Sequence, residues 1–368
     1  MINELLKTSI ESRSIINESI TSSFEDIQSA DIMDKWIDYN FENNHSASKF
    51  IAVDGSINST SLVVGDISAI SSHALYTDRQ ETKYIKSLNE VTFIPSSQYD
   101  YTKALNKQMN IMELKCILDS LNDKDVDYVL LDGDLHSILD HIAMGVKSSM
   151  SNDEDIMLLT NEIIHDIQSD RFQLPTLQDI QRKPFNLSKY NKFDYLMHYL
   201  MIEQLSIICH ILKNFNHKII SISKTSHSHN ICKKSLSDRA LFEYYCSNSG
   251  YSEYYKNDDN RFRIHTPFYV KYKSYPVYDE YLSNLIFTNR FVKLSKIASP
   301  IKIQLSYDAS EKEFIDVLNM LNTISLTSTG YPVILKKVHD DIKITNKNMN
   351  NIIRNMGLNN LKQERSML

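Results

Sequence analysis

The sequence predicts a mixed α/β fold, a sheet core with helical additions at the N-terminus, in the middle and at the C-terminus. Three observations carry that prediction. Between residues 49 and 135 the hydrophobic pattern reads strand, strand, strand, helix, strand. Two of these strands are continuous apolar runs that close on the same dipeptide, Asp54-Gly55 and Asp132-Gly133. Stretches with helical spacing, above all FDYLMHYLMIEQLSIICHILKNF at 193–215, lie before and after them.

Residues 1–41 read as helical, with apolar spacing through Leu5, Leu6, Ile10, Ile15, Ile16 and Ile20, then Ile32, Trp36 and Ile37. After the polar break NNHSAS, the run KFIAVDGSI reads as a buried strand with a turn at Asp54-Gly55. STSLVVGDISAISSHALY suits a second strand, bulged at Gly65, and EVTFIPS (90–96) a third. From Lys103 to Leu121 the period changes, and Leu105, Met109, Met112, Cys116, Ile117 and Leu121 share one helical stripe. VDYVLLDGDL (126–135) returns to strand. More helix is expected after the acidic stretch near 148–155, a strand at 218–226 (KIISISKTS) and a helix over DRALFEYYC. Residues 251–307 alternate like strands and are rich in Tyr, Phe and Lys. Three helices close the chain, the second opened by Pro332 in GYPVILKKVHDDIKI. Neither a repeat nor a linker interrupts the pattern. The expected organisation is one continuous domain over 46–345 with a helical region at 1–45 and a helix and tail at 346–368.

Composition narrows the class. Hydrophobic residues make up 42% of 368 and charged residues 23%, enough to bury a large core. Seven glycines and seven prolines exclude a collagen-like or Gly/Pro-rich disordered chain. No apolar run reaches the ~18 residues of a membrane helix, and MINELLKTSIESRS lacks a signal-peptide core. A cytoplasmic chain is expected, with Cys116, Cys209, Cys232 and Cys246 reduced and mostly buried. Net charge is −6, which gives no hint of nucleic acid, although local basic stripes rather than the total decide that question.

The candidate chemistry starts from the repeated Asp-Gly. An aspartate at the carboxyl end of a buried strand sits where a sheet opens to solvent, and the glycine lets another group approach its backbone. Taken singly, either pair is also an ordinary turn. Glu113, in NIMELKC, borders the apolar stripe of the helix between the two strands. An aspartate on the first strand, a glutamate on the helix and an aspartate closing the fourth strand are the layout of an RNase H-like (Piwi-like) fold. There three carboxylates converge on divalent metal, because hard oxygen ligands suit Mg²⁺ or Mn²⁺. Asp134 is left outside this set. Near the C-terminus, Tyr331 and His339 lie eight residues apart, a little over two helical turns, so they could face one side. The histidine could ligate a metal or handle a proton and the tyrosine orient phosphate or water, against the alternative of a helix start with a surface histidine.

VDGS at 53–56, the helical Glu113, LLDGDL at 130–135 and GYPVILKKVHDDIKI at 330–344, in this order, resemble the NurA nucleases. The likeness spans roughly residues 50–345 and includes the strand carrying Lys224 in SISKTS. The resemblance implies an active site of Asp54, Glu113 and Asp132 as metal ligands, completed by Tyr331 and His339. It implies dependence on Mn²⁺ (or Mg²⁺), two ions, a homodimer, and a HerA-type hexameric ATPase as partner. The implied activity is 5′–3′ exonuclease and single-strand endonuclease action in DNA end resection. Under this reading Lys224 meets a backbone phosphate, against the alternative of a solvated strand-end lysine. Aromatic and basic residues over 261–275 would line a strand-tracking groove or pack a sheet on helices. Family members carry a small residue where Asp134 stands.

Other chemistries fit less well. His227, His229 and Cys232 fall within six residues, but zinc needs four ligands and no fourth lies near in sequence. The chain has neither a Walker-type phosphate loop nor a G-x-S-x-G elbow. Two readings therefore compete, a metal-dependent nuclease and a catalytically silent RNase H-like module that grips DNA or docks a helicase. A silent module has no need to gather like-charged carboxylates.

Overall fold

Apolar residues fill both faces of the strands at the centre of the chain, and the helices are the two layers that cover them. The computed structural model describes residues 2–42, 49–78, 80–96, 101–135, 137–139, 161, 165, 192–253 and 285–361. Its strands are β1 (Trp36–Asp38), β2 (Phe50–Leu62), β3 (Gly65–Thr77), β4 (Thr82–Pro95), β5 (Tyr128–Asp132), β6 (Ile219–Ser223), β7 (Gly250–Ser252), β8 (Thr288–Lys293) and β9 (Ile301–Leu305). They form one sheet in the order β1-β7-β8-β9-β6-β5-β2-β3-β4, and β10 (Ser325–Leu326) and β11 (Tyr331–Pro332) pair separately. The helices are α1 (Ile2–Glu11), α2 (Arg13–Glu25), α3 (Ser29–Met33), α4 (Thr102–Asp123), α5 (Lys192–Phe215), α6 (Asp238–Tyr245), α7 (Glu311–Ile324), α8 (Val333–Ile342) and α9 (Asn346–Asn355).

Period-two alternation divides the core. Ile51, Val53, Val129 and Leu131 point to the face covered by α4 and α5, where Ile117, Leu200 and Leu205 meet them. Phe50, Ala52, Leu130, Ile220 and Ile222 point to the other face, against Phe314, Leu318, Leu335 and Val338 of α7 and α8. Parallel strands buried on both faces read as unbroken apolar runs, which is why 50–53 and 129–131 look as they do. All four cysteines are free and buried, and burial pushes the thiols of Cys116 and Cys232 up to about 12. Among the described residues no helix is long and apolar enough to cross a membrane.

The mixed α/β class predicted from sequence is the one observed, with four local corrections. Trp36 and Ile37 lie in β1 rather than in helix, because Trp36 pairs with Ser252 of β7 and packs at a tilt on the Phe242 ring, centroids 5.2 Å apart. β2 does not turn at Asp54-Gly55; β3 continues to offer ladder partners as far as Leu62. The turn falls instead at Val63-Val64, before Gly65 (φ +151°), where a side chain would press on the Ile94 carbonyl and on Pro95 Cα at 2.9 Å. β4 starts at Thr82 rather than at Glu90, carried by its pairing with β3, which has an irregularity at Ala74/Leu75. Of the helix expected after 148–155 only residues 161 and 165 are described before 192, both helical, and the basic and aromatic residues of 261–275 lie outside the described residues.

Candidate metal centre

The site forms where a strand loses its neighbour. β2 runs parallel to β5 from Phe50↔Tyr128 to Val53↔Leu131. β5 then ends at Asp132, while β2 continues beside β3 alone. A crevice opens beyond the carboxyl end of β5, the usual position for a ligand site in such a sheet. Asp54 is the first β2 residue past the shared register, and Asp132 the last residue of β5. Gly133, with φ +126°, lets the chain leave the strand, and its N–H donates to the Ile222 carbonyl of β6 at 2.9 Å.

Asp54, Asp132 and His339 each bring one ligand atom within 4.8 Å of the others. Among the described residues this is the one such group of three His, Cys, Asp or Glu side chains. His339 reaches in from α8, its Nδ1–H donating to Asp54 Oδ2 at 2.7 Å, with a little over half of its side chain exposed. The other Asp54 oxygen accepts the Gly55 N–H at 2.9 Å. Burial raises the Asp54 pKa above the ordinary carboxylate range, and these two hydrogen bonds pull against it.

Glu113 stands outside that group of three but beside it. Its carboxylate lies over the backbone of Gly55: a Cβ there would overlap Oε1 and stand 3.1 Å from Cδ. Burial first, then the charges of Asp54 and Asp132, push the Glu113 pKa well up. The glycine is therefore needed for the close approach rather than for a turn.

Tyr331 and Lys224 complete the crevice on the Asp132 side. Lys224, just past the end of β6, pairs with Asp132 Oδ2 at 3.0 Å and lies 4.1 Å above the centroid of the Tyr331 ring. Tyr331 is 6% exposed, and its buried hydroxyl faces the Asp132 carboxylate. Burial and the nearby Asp132 charge raise its pKa above the normal phenol range. Tyr331 and His339 do face one site, but not along one helix: Tyr331 lies in β11, and Gly330 (φ +66°) and Pro332 turn the chain into α8, Pro332 capping that helix rather than opening it.

Asp134 turns away from Asp132. It pairs with Lys302, accepts from Gln304 Nε2 at 3.0 Å and caps the following turn through the Ser137 N–H at 3.1 Å. Lys302 and Gln304 carried no signal in the sequence, because only the β6–β9 register brings them to this turn. His227, His229 and Cys232 do not converge. The His229 ring faces the Lys234 and Leu236 carbonyls at 3.1 and 3.0 Å, and Asp238 binds the Cys232 N–H at 2.8 Å. That loop is organised by Asp238 as a helix entry.

The residues present fit a hard divalent cation. Two carboxylates and an imidazole converge, and a third carboxylate is buried at a cost that positive charge would offset.

Comparison with known proteins agrees with this architecture. The sequence profile of the NurA domain matches residues 48–344. A Methanocaldococcus jannaschii protein, named a probable DNA double-strand break repair nuclease NurA, is 28% identical over 96% of this chain and 91% of its own. A Sulfolobus acidocaldarius DNA double-strand break repair nuclease NurA is 24% identical over 89% and 85%. Among solved structures, the NurA nuclease from Sulfolobus solfataricus superposes with a TM-score of 0.75 at 19% identity, covering 97% of each chain. A NurA bound to dAMP and manganese gives 0.67 at 15%, covering 98% of each.

Proposed function

Because the chain belongs to the NurA domain family, we propose that it is a metal-dependent nuclease that hydrolyses phosphodiester bonds in DNA. The observation that carries this reading is the meeting of Asp54, Asp132 and His339 in one crevice, with Glu113 over Gly55 beside them. The proposed cofactor is Mn²⁺ or Mg²⁺, as two ions, held by Asp54, Glu113 and Asp132. Such ions supply Lewis-acid polarisation of the phosphodiester and a water acidic enough to attack it.

The chain's own residues divide the remaining work. Asp54 and Asp132 provide hard oxygen ligands from two strands whose relative position the β2–β5 register fixes. Burial and the charges of Asp54 and Asp132 hold the Glu113 proton more tightly than usual, so the positive charge of a cation would favour its ionised, ligating form. His339 keeps Asp54 oriented through Nδ1 and carries a second ring nitrogen on its exposed side, suited to proton transfer at the crevice mouth. Tyr331 stays protonated at any working pH and offers its hydroxyl as a hydrogen-bond donor to a phosphate oxygen or water. Lys224 is the proposed contact to the DNA backbone.

The finer reading is 5′–3′ exonuclease and single-strand endonuclease action in DNA end resection for recombinational repair. It includes a cytoplasmic homodimer that works with a HerA-type hexameric ATPase. The NurA names of the curated relatives, which describe double-strand break repair nucleases, support the repair setting. The matching structure with dAMP and manganese supports the metal. The test is direct. Asp54→Ala and Asp132→Ala should each abolish Mn²⁺-dependent degradation of linear DNA while circular dichroism stays unchanged, and wild-type cutting by either variant would remove the assignment.

A further inference from the structure

The carboxylate crevice already holds one positive charge of its own. Lys224 Nζ lies 3.0 Å from Asp132 Oδ2, one of the carboxylates at which the cation is proposed to bind. Its position is set by the sheet: Ile222 of β6 is the parallel register partner of Asp132, so Lys224, two residues on, stands beyond the strand end at the crevice. Asp132 is its ion-pair partner among the described residues. At 41% exposure the side chain has room to leave.

An ammonium and a divalent cation compete for Asp132. The two like charges would be only a few ångströms apart if they shared one carboxylate, and each lowers the other's occupancy. A lysine buried in the pair would have no alternative position, but this one has the face of the Tyr331 ring beneath it at 4.1 Å. A cation lying over an aromatic ring stays attracted to it without the carboxylate. Released from Asp132, the ammonium is still retained at the crevice rather than lost to solvent.

We infer that Lys224 is the resident counter-ion of the metal-free site, which the entering cation displaces from Asp132 and thereby frees to bind the phosphate backbone of DNA. Lys224 is then occupied by the protein until the metal arrives. Cation uptake and DNA capture become coupled through one side chain, and a metal-free enzyme does not hold DNA at an incompetent site. This inference rests on the nuclease reading for the identity of the ligands, and it is tested without cleavage.

Mn²⁺ is titrated calorimetrically into the wild-type chain, Lys224→Met, Lys224→Gln and Lys224→Arg in the absence of DNA. Losing a partly exposed ion pair that the metal must otherwise break should tighten Mn²⁺ binding by about three- to tenfold in the Met and Gln variants. The Arg variant should stay near wild type. A phosphorothioate oligonucleotide then reports DNA affinity with Mn²⁺ and with EDTA. Wild type and Lys224→Met should bind it alike in EDTA, and wild type should gain clearly more affinity than Lys224→Met when Mn²⁺ is added. Unchanged or weaker Mn²⁺ binding in both neutral variants would overturn the exchange, because Lys224 would then be a fixed brace of Asp132 or a bystander. The nuclease reading falls separately, if Asp54→Ala cuts DNA at the wild-type rate.

Discussion

Gly55→Ala is the smallest perturbation that reaches the candidate site, adding one methyl group on a strand whose backbone any residue can adopt. The added Cβ would overlap Glu113 Oε1 and stand 2.7 Å from Met109 Cγ and 3.1 Å from Glu113 Cδ. Glu113 Oε1 is the far end of a flexible side chain on α4 and can yield without moving the helix, whereas Met109 Cγ lies mid-chain and must change rotamer. Relieving the overlap asks the carboxylate to retreat by about 1 Å, a displacement that at a reacting centre typically costs about 10²-fold in rate. The price in stability is that of a mild overpacking, about 1–2 kcal/mol. Gly55→Ala should therefore lower single-turnover, Mn²⁺-dependent degradation of linear DNA by about two orders of magnitude, with only a few degrees lost from Tm. If the loss runs through Glu113, the Gly55→Ala/Glu113→Ala double variant should be no slower than Glu113→Ala alone. Wild-type activity in Gly55→Ala, or full additivity in the double variant, would refute the claim that this glycine exists to admit Glu113.

Three further outcomes follow from the same geometry. Glu113 holds its proton more tightly when folded than when unfolded, so the folded chain binds more protons above the ordinary carboxylate pKa. In EDTA, stability should therefore fall as pH rises from about 4.5 through the raised Glu113 value, and Glu113→Gln should flatten that slope in thermal melts at pH 5 and pH 8. Asp134→Ala strands the largely buried Lys302 ammonium and removes one acceptor of Gln304, which keeps its bond to Asn289, and should cost about 3–5 kcal/mol in urea unfolding, whereas Asp134→Asn, which keeps an acceptor for Gln304, should cost less. Leu335→Ala, at a fully buried position on the face of α8 that holds His339 in place, should cost about 2–5 kcal/mol by the same assay.

The legibility of this chain follows the range of the forces involved. The apolar runs 50–53 and 129–131 were plain because strands buried on both faces have no polar positions to disguise them. α4 and α5 were plain because each presents a long stripe to the sheet. The hairpin was not: residues 54–61 of β2 are polar apart from Gly55 and Ile57 and only partly buried, and what keeps them extended is the β3 ladder, which no local pattern announces. Trp36 failed in the same way, since β7, its partner, lies more than two hundred residues on. The repeated Asp-Gly was informative even though the two copies do different work, one glycine admitting Glu113 and the other turning the chain out of β5. The Lys224–Asp132 pair and the Lys302–Gln304 anchor depend wholly on sheet register, so sequence spacing held no trace of them.

Those register-dependent contacts explain how the site is affordable when no cation fills it. Asp54, Glu113 and Asp132 repel one another, and burial adds to the penalty on the first two. The fold answers each carboxylate differently. Asp54 is bound by His339 and by the Gly55 N–H, Asp132 by Lys224, and Glu113, with no such cation, is driven toward its neutral form. The burden thus falls most heavily on Glu113, the carboxylate that neither the His339 hydrogen bond nor the Lys224 pair reaches. A divalent cation entering this crevice would gain most by ionising Glu113. Mn²⁺ binding should accordingly release a proton, measurable as a dependence of the calorimetric heat on the ionisation enthalpy of the buffer, and Glu113→Gln should abolish that dependence. A buffer-independent heat in the wild-type chain would mean that Glu113 is already ionised, and the account of how the metal-free site is held together would fail with it.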